Sequence, residues 1–425
     1  MYESINMFEA MNPRYKIKKP IRLIELFAGI GSQAKALKNI DANFETYKVV
    51  EYDSNAIKSY NAIHNTDFVV QDITKINSSD LCIVDTNKYE YIMTYSFPCQ
   101  DLSLAGNQKG MGKGNSTRSG LLWEVERLLK GCVELPQILL MENVPQVVGK
   151  ANFKDFREWE IFLEDLGYSN YYQLLNAKNY GIPQNRNRCF MVSILGNFYY
   201  QFPCKKKLEL KLKDMLEDEV DEKYYLSEKM LQFLNDETNR NGFIRKKQFR
   251  PHKIDESDIA FTITTKAGSR PTDNFIEVFD FRYDEGIRGR VDNDLSPTIT
   301  TKAGSKGLSG QPLIKVPQAT KQGYAVARVG DEIYINRTQS KRGVVQKNAI
   351  PTLKTSPNDL AVVVDDPKEM ISIRRLTPRE CWRLMGFSDE DFEKASKVNS
   401  NSQLYKQAGN SIVVNVLEEI FKMLF

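Results

Sequence analysis

The sequence predicts an α/β protein with a larger domain built on a mostly parallel sheet and a smaller β-rich domain. Between about residues 20 and 195, short apolar segments alternate with amphipathic ones, which is typical of successive βαβ units with helices on both faces of a sheet. From 197 to 370, helical periodicity fades, and threonine, turn residues and basic residues become frequent. Residues 371–425 are helical again, so we expect them to return to the larger domain, which is predicted at 1–196.

The predicted strands are continuous apolar runs, as in strands that are covered on both faces. They are IRLIELF (21–27), YKVVEYD (47–53), YEYIMTYSF (89–97), QILLMEN (137–143) and RCFMVSIL (188–195). The predicted helices are SQAKALKNI (32–40), NAIKSYNAIH (55–64), GLLWEVERLLKGCV (120–133) and FREWEIFLEDLG (156–167). Ligands bind at the carboxyl ends of strands in such sheets, so Cys99 and Glu142, which fall at two of these ends, are candidate site residues.

Composition narrows the classes of protein that fit. The six cysteines lack CxxC spacing, so neither a disulfide framework nor a metal site is expected. Only two histidines are present, which favours a mechanism without histidine, and the net charge of +4 permits a nucleic-acid partner. No apolar run reaches the roughly 20 residues that cross a bilayer, and the N-terminus lacks a signal-peptide core, so we expect a cytoplasmic protein with no membrane partner.

The smaller predicted domain contains an internal repeat. FTITTKAGSR at 261–270 returns as PTITTKAGSK at 297–306, and a weaker copy, PTLKTSPND, lies at 351–359. Threonine-rich strands followed by Lys, Gly and Ser predict a β-rich module with repeated polar loops. Duplicated hairpins of purely structural value are the alternative.

A glycine turn between the first strand and the first helix is a candidate cofactor site. In ELFAGIGSQAKAL, Gly29 and Gly31 allow a tight turn and a close approach of ligand to backbone. Glu51 follows about 20 residues later, at a strand end where a carboxylate can accept hydrogen bonds from a ribose. Glu25 and Phe27 favour the cationic amino-acid end of S-adenosylmethionine over a pyrophosphate. An ordinary tight turn is the alternative.

The segment YSFPCQDLSLAG places Cys99 where a strand gives way to a polar loop. A cysteine is a strong nucleophile as the thiolate, and Pro98 fixes the backbone before it. Glu142 ends another strand, and Asp72 with Ile73 lies at a third, where an adenine amino group could bind. An isolated cysteine is more often a core residue, so the significance of Cys99 depends on these neighbours.

The segment NYGIPQNRNRCFMV spaces Gln184, Arg186 and Arg188 two residues apart. Side chains alternate along a strand, so all three can face one pocket. A thiolate, a carboxyl group and an arginine beside a methyl donor suit methylation of an aromatic carbon that is not itself nucleophilic, such as C5 of cytosine. Cys99 would attack C6, Glu142 would hold N3 and the exocyclic amine, and Arg188 would hold O2. A cytosine in a duplex would have to be flipped out first.

Together the motifs resemble those of bacterial-type DNA (cytosine-5-)methyltransferases. Across about residues 22–420 the chain has, in the family's order, ELFAGIGS, EYD, QDI, SFPCQDLSLAG, TRSGLLWE, MENV, QNRNR, RRLTPRECWRLMGF and QAGNSIVVNV. The resemblance implies a Rossmann-like S-adenosylmethionine-dependent methyltransferase domain with a mixed, mostly parallel sheet, and a target-recognition domain at 197–370. It also implies methylation of a flipped cytosine at a short sequence of double-stranded DNA, in a restriction-modification system or by an orphan or phage enzyme.

The resemblance implies roles for individual residues. The nucleophile is Cys99, and its partners at the catalytic centre are Glu142, Arg186 and Arg188. The implied cofactor contacts are Phe27, Gly29, Ile30, Gly31, Glu51, Tyr52, Asp72, Ile73, Pro98, Leu121, Asn410 and Ser411. A loop at about 100–120 would close over DNA, and the implied DNA contacts here and beyond are Gln100, Ser103, Gln108, Arg118 and Gln184. No metal is implied.

Members of the family carry a Thr-Leu pair in the target-recognition domain. Thr352 with Leu353 is the only literal match, and we favour it over Thr262 or Thr298. Basic residues of the same region, among them Lys266 and Lys302, can bind phosphates independently of sequence.

Three alternatives differ in substrate or class. A transfer-RNA cytosine-5 methyltransferase shares these blocks, but the family implies for it a shorter variable region and PPC in place of FPC. A NAD-dependent dehydrogenase is supported only by the glycine turn. A non-catalytic DNA-binding protein would be indicated by an altered Cys99 or Glu142, and both are present. We therefore favour a monomeric DNA methyltransferase, with any cognate restriction endonuclease a separate protein.

Overall fold

The computed structural model describes most of the chain. The described residues are 13–98, 102, 110–113, 118–226, 252–253, 258–265, 267, 274–279, 313–317, 324–328, 332–334, 345–346, 360–362 and 371–425. Within these ranges, none of the helices is both long and apolar enough to cross a membrane.

The chain divides into two compact units. The first comprises Met1–Tyr224, Glu228–Phe275 and Arg375–Phe425, and the second comprises Tyr225–Ser227 and Ile276–Arg374. The first unit therefore includes 197–224 and 258–265, which lie within the target-recognition domain predicted at 197–370. The role of that domain stays a prediction.

The first unit is built on one large sheet. The strands of this sheet are β1 (Ile21–Leu26), β2 (Phe44–Val50), β3 (Glu90–Tyr95), β4 (Ile138–Asn143), β5 (Tyr168–Asn176) and β7 (Asn187–Leu195). The short β6 (Gln184–Asn185) precedes β7 in the chain and lies outside this sheet. The strand order is β2-β1-β3-β4-β7-β5. β1 is parallel to β2 and β3, and β3 is parallel to β4, whereas β7 runs antiparallel between β4 and β5. The sheet is mixed and mostly parallel, and the predicted fold class is confirmed.

Helices flank this sheet. They are α1 (Ser32–Asn39), α2 (Ser54–His64), α3 (Leu122–Lys130), α4 (Phe153–Asp165), α5 (Pro378–Arg383), α6 (Asp389–Ser396), α7 (Asn401–Asn410) and α8 (Val414–Lys422). The last helices return to the first ones, because α8 packs against α1 and α6 packs against α2. An ion pair between Lys35 and Asp391, 2.8 Å apart, joins α1 to α6.

Individual side chains fix the start of α2 and satisfy polar groups in the core. The carboxylate of Asp53 caps α2 by accepting hydrogen bonds from the backbone N–H of Asn55 at 2.9 Å and of Ala56 at 3.4 Å. Both β3 and β4 are buried along their whole length. The indole of Trp159, on α4, donates to the hydroxyl of Tyr95 at the end of β3 over 3.1 Å, so the polar atoms of this aromatic pair are satisfied inside the core.

Strand β5 is not among the predicted strands. Its sequence, YSNYYQLLN, mixes polar and aromatic residues, and it is the last strand in the sheet order, where Tyr172 and Leu174 remain exposed. Because β5 lacks a continuous apolar run, it could not be predicted by that criterion.

The remaining strands are short. β8 (His252–Lys253) and β9 (Ala260–Phe261) belong to the first unit, and β9 pairs in parallel with β6. In the second unit, β11 (Leu313–Pro317) pairs antiparallel with β12 (Tyr324–Arg328), and β13 (Glu332–Tyr334) pairs antiparallel with β14 (Val345–Gln346) and β15 (Leu360–Val362). β10 (Phe275–Phe279) and β16 (Ile371–Arg375) are sheet neighbours. These strands agree with the β-rich structure that the sequence predicts for this part of the chain.

Candidate active site

The glycine turn joins β1 to α1 through left-handed backbone conformations. The φ angle is 57° at Phe27, 58° at Gly29 and 80° at Gly31. A Cβ atom on Gly31 would lie 2.3 Å from Nε2 of His64 and 2.6 Å from Cε2 of Tyr60, so only glycine fits there. A Cβ atom on Gly29 would meet nothing within 4 Å, so the turn is open to a ligand on that side.

Glu51 faces the turn from the position after β2. Its carboxylate accepts hydrogen bonds from the backbone N–H of Gly29 at 2.9 Å and of Asp53 at 2.7 Å. Burial raises the pKa of Glu51. Carboxylate oxygens have lone pairs to spare, so these bonds are compatible with the predicted acceptance of ribose hydroxyls.

Two residues that hold the turn were not predicted, His64 and Tyr60. Nε2 of His64 lies 3.1 Å from the carbonyl oxygen of Ile30. Burial lowers the pKa of His64 to about 4, so the ring is neutral near pH 7 and its Nε2–H can donate to this carbonyl. The Tyr60 hydroxyl donates to Glu25, whose pKa burial raises to about 7. Their spacing of four along α2 could have indicated a shared face toward the turn.

The other predicted cofactor residues follow β2 or β3 or directly precede α3. Contrary to the sequence prediction, Asp72 and Ile73 do not end a strand, because the chain between β2 and β3 forms α2 and turns but no strand. Tyr52 is 74% exposed. Asp72 accepts hydrogen bonds from the backbone N–H of Thr74 at 3.0 Å and from its hydroxyl at 2.8 Å, and these bonds lower the pKa of Asp72. Ile73 is buried, and Leu121 and Pro98 are half-buried.

The loop after α7 reaches the glycine turn. The backbone N–H of Ile412 donates to the hydroxyl of Ser32 at 3.3 Å. Ser411 is buried and its hydroxyl donates to the carbonyl of Gln407 at 2.7 Å, whereas Asn410 is exposed. The structure thus brings this loop and the turn, which the sequence assigned to one cofactor site, together from the two ends of the chain.

Two side chains fix the backbone that leads to Cys99. Nδ2 of Asn143 donates to the carbonyl of Phe97 at 2.9 Å, and the hydroxyl of Ser119 donates to the carbonyl of Pro98 at 2.7 Å. Both side chains are buried. Cys99 itself lies outside the described residues, but the two peptide groups before it are each held by a side chain.

Glu142 and Arg188 form an ion pair at the end of β4. Nε of Arg188 lies 3.2 Å from Oε1 of Glu142. The antiparallel register produces this contact, because Glu142 is opposite Phe190, two residues along β7 from Arg188. Burial raises the pKa of Glu142, and the positive charges of Arg188 and Arg186 oppose that rise. A buried carboxyl group of this kind gains a proton more readily than an exposed one.

Gln184 and Arg186 do not share the partners of Arg188. Nε2 of Gln184 donates to the carbonyl of Leu384 at 2.6 Å, and Oε1 accepts from the backbone N–H of Ile263 at 3.0 Å. Arg186 is also buried and donates to the Ile263 carbonyl at 2.9 Å. The strict alternation is interrupted here, since the backbone N–H of Arg186 donates to the carbonyl of Gln184, only two residues earlier. The predicted DNA contact of Gln184 stays a prediction.

The structure describes one more predicted DNA contact, Arg118, which is exposed. The others lie outside the described residues: Gln100, Ser103, Gln108, Lys266, Lys302 and Thr352. Thr262, one of the described residues, lies beside β6: its hydroxyl donates to the carbonyl of Asn185 at 2.7 Å. In the described ranges, no three His, Cys, Asp or Glu side chains gather as a metal site would require.

The family of the chain follows from comparison with known proteins. The model of the C-5 cytosine-specific DNA methylases matches residues 21–425. The type II methyltransferase M2.ScrFI of Lactococcus lactis subsp. cremoris is 30% identical, over 95% of this chain and 99% of its own. The orphan methyltransferase M.SPRI of Bacillus phage SPR is 31% identical, over 95% and 97%.

Solved structures agree on the fold. The Entamoeba histolytica methyltransferase EhMeth is 16% identical and superposes with a TM-score of 0.62, over 96% of this chain and 98% of its own. The Dnmt2 methyltransferase of S. pombe is 19% identical, with a TM-score of 0.59 over 95% and 97%. At such identities, these structures establish a shared fold alone.

The fold and the ordered motifs thus define a C5-methyltransferase. The chain belongs to the C-5 cytosine-specific DNA methylases, and its enzymatic class is DNA (cytosine-5-)-methyltransferase. The predicted family is confirmed, and a NAD-dependent dehydrogenase is excluded.

Proposed function

We propose that the protein flips a target cytosine out of double-stranded DNA, at a short specific sequence, and methylates its C5 through a covalent adduct with Cys99. The observation that carries the proposal is the Glu142–Arg188 pair, 3.2 Å apart, next to a backbone that is fixed up to the residue before Cys99. A thiol, a carboxyl group and a guanidinium at adjoining strand ends are the groups that this addition chemistry requires.

S-adenosylmethionine is the cofactor that suits the glycine turn. The open side of Gly29 allows a ligand to approach the backbone, Glu51 offers a carboxylate for ribose hydroxyls, and the exposed ring of Tyr52 offers a surface for an adenine. Asp72 and Asn410 complete the proposed contacts. When bound, the cofactor supplies the methyl group that cytosine C5 receives.

The chain's own residues make C5 reactive. The Cys99 thiolate forms a bond to C6, and the electron pair of the C5–C6 double bond moves toward C5 and the N3 side of the ring. Protonated Glu142 donates to N3 and its other oxygen accepts from the exocyclic amine, while Arg188 holds O2. After methyl transfer, loss of the C5 proton to water restores the double bond and expels the Cys99 thiolate, and N3 returns its proton to Glu142.

DNA rather than transfer RNA is the proposed substrate. The family description names DNA, and two relatives that match nearly the whole chain are, by name, a type II methyltransferase and an orphan methyltransferase of a phage. We further propose that a monomer acts in a bacterial cell or as a phage product, and that any cognate endonuclease is a separate protein.

A duplex in which every cytosine carries fluorine at C5 tests the covalent step. Fluorine cannot leave C5 as a proton does, so Cys99 stays bonded to C6 after methyl transfer. Wild-type protein with S-adenosylmethionine should form a protein–DNA adduct that survives denaturation and maps to Cys99 by mass spectrometry.

Cys99→Ser should form no adduct. Its matched control is Cys204→Ser, because Cys204 also follows a Phe-Pro pair and is exposed, and this variant should behave as wild type. Normal adduct formation or turnover by Cys99→Ser would overturn the assignment of the nucleophile. Adduct formation on fluorinated transfer RNA, with none on DNA, would overturn the proposed substrate.

A further inference from the structure

The first residues of the repeat's first copy are bound to β6. This copy begins at β9, where Ala260 is opposite Gln184 and Phe261 is opposite Asn185 in the parallel pairing with β6. The hydroxyl of Thr262 adds a hydrogen bond to the Asn185 carbonyl at 2.7 Å. This copy of the repeat is therefore part of the framework of the active site.

Both backbone groups of Ile263 are held by the QNR segment. Gln184 accepts from the N–H of Ile263 at 3.0 Å, and Nη1 of Arg186 donates to its carbonyl at 2.9 Å. Ile263 itself is 1% exposed. The repeat therefore cannot shift along β6 without breaking the two hydrogen bonds of Ile263.

The same guanidinium also holds residues 409–411 at the end of α7, which we call the cofactor loop. Nη2 of Arg186 donates to the carbonyl of Gly409 at 3.0 Å and to that of Ser411 at 2.7 Å. These two carbonyls flank Asn410, a proposed cofactor contact. One side chain thus bonds to the backbone on both sides of that residue and, through Nη1, to the repeat.

The cofactor loop and the repeat are also in direct contact. A Cβ atom on Gly409 would lie 2.3 Å from the backbone nitrogen of Thr265 and 2.4 Å from the carbonyl carbon of Thr264. Only a glycine lets the two backbones approach so closely. A displacement of one segment is therefore transmitted to the other.

We propose that Arg186 is a positioning residue that couples cofactor binding to DNA binding. The proposal rests on the function proposed above, in which Asn410 contacts the cofactor, and on the phosphate contact that the sequence predicts for Lys266, which follows Thr265 in the repeat. The Arg186 side chain is 4% exposed and its Nη groups bond to three backbone carbonyls, so it acts through these segments and not on the cytosine. Planar guanidinium geometry fixes the carbonyls relative to one another, as a lysine cannot.

Coupling of this kind is reciprocal. A cofactor that orders the loop around Asn410 also orders the repeat, so each ligand raises the affinity of the other by the same factor. Such factors are typically about 5- to 150-fold. Replacing a residue that only stabilised the fold would change the cofactor affinity by the same factor with and without DNA, so the coupling factor would stay the same.

Calorimetry on Arg186→Lys measures that factor. The affinity for S-adenosylhomocysteine is determined without DNA and with a saturating linear plasmid fragment that contains a methylation site mapped on the wild-type enzyme. We expect the fragment to raise cofactor affinity by at least about 5-fold in wild type and by less than about 2-fold in the variant. We also expect KM for both ligands to rise more than kcat falls.

Gly409→Ala perturbs the same junction without touching the guanidinium, and it should lose the coupling in the same way. It decides the question by the same criterion if Arg186→Lys does not fold. The matched control is Arg383→Lys, since Arg383 donates to the carbonyls of Met215 and Leu216 at 3.2 and 3.0 Å and to the carboxylate of Asp389, none of which belongs to the junction. The control should retain the wild-type factor.

Two outcomes would overturn the proposal: a wild-type enzyme that methylates DNA without any coupling, or an Arg186→Lys enzyme that retains it. A wild-type protein that methylates no DNA would instead contradict the proposed function, so the two failures are distinguishable.

Discussion

Glu142 is the side chain whose chemistry depends most on its surroundings. Burial raises its pKa, and Arg188, 3.2 Å away, limits the rise. To donate to N3 of cytosine, Glu142 must carry a proton. The protonated form is lost as pH rises through the pKa of Glu142, and because that pKa is raised, the loss occurs at higher pH than for an exposed glutamate.

Glu142→Gln should lower kcat by about 10²- to 10³-fold while DNA affinity changes little, because the amide cannot transfer a proton to N3. It should also remove the alkaline fall of kcat, since glutamine does not titrate. Single-turnover rates across pH measure both effects. The exposed Glu164→Gln is the control, and an alkaline fall that survives in Glu142→Gln would contradict the role of this carboxyl group.

Gly31 is required by sterics as well as by backbone conformation. Gly31→Ala should weaken cofactor binding at least about tenfold, because the new methyl group would collide with His64 and Tyr60 and displace the turn. Gly181→Ala is the matched control: its φ is 90° but its Cβ would meet nothing within 4 Å. Equal cofactor affinities in the two variants, measured by calorimetry, would contradict this account of the turn.

Among the secondary-structure elements, the end of β3 is held by contacts that local sequence does not reveal. Ser119→Ala removes the hydrogen bond to the Pro98 carbonyl, and we expect kcat to fall about tenfold or more with little change in stability, since a small misplacement of a reacting group is costly. Ser78→Ala is the matched control, because Ser78 also donates to a carbonyl, that of Leu128, at 2.7 Å. Equal kcat values in the two variants would show that Ser119 does not position Cys99.

Most elements could be predicted from the sequence because their patterns are local. The apolar runs of β1, β3, β4 and β7 and the helical spacing of α1 to α4 coincide with the observed elements within a few residues. The sequence predicted that Glu142 and Arg188 lie at one pocket, but it did not predict the ion pair between them. The partners of Arg186 could not be predicted, because they are backbone carbonyls far away in sequence and the alternation of side chains is interrupted at this residue.

At the scale of the whole molecule, the second compact unit can be replaced by that of a relative to test where the target sequence is recognised. Replacing residues 276–374 with the corresponding segment of a relative of different specificity should transfer the target sequence, because the proposed base contacts reside in the variable region. The first repeat copy, bound in the first unit, is left unchanged. An active chimaera that keeps its original target would place recognition in the first unit.

The central claim is cytosine-5 methylation of DNA at a specific sequence by way of Cys99. Base-resolution mapping of 5-methylcytosine on plasmid DNA, incubated with purified protein and S-adenosylmethionine, tests it most directly. We predict methylation confined to one short sequence with wild type and none with Cys99→Ser. DNA without 5-methylcytosine after incubation with wild type, or equal methylation by the serine variant, would contradict it.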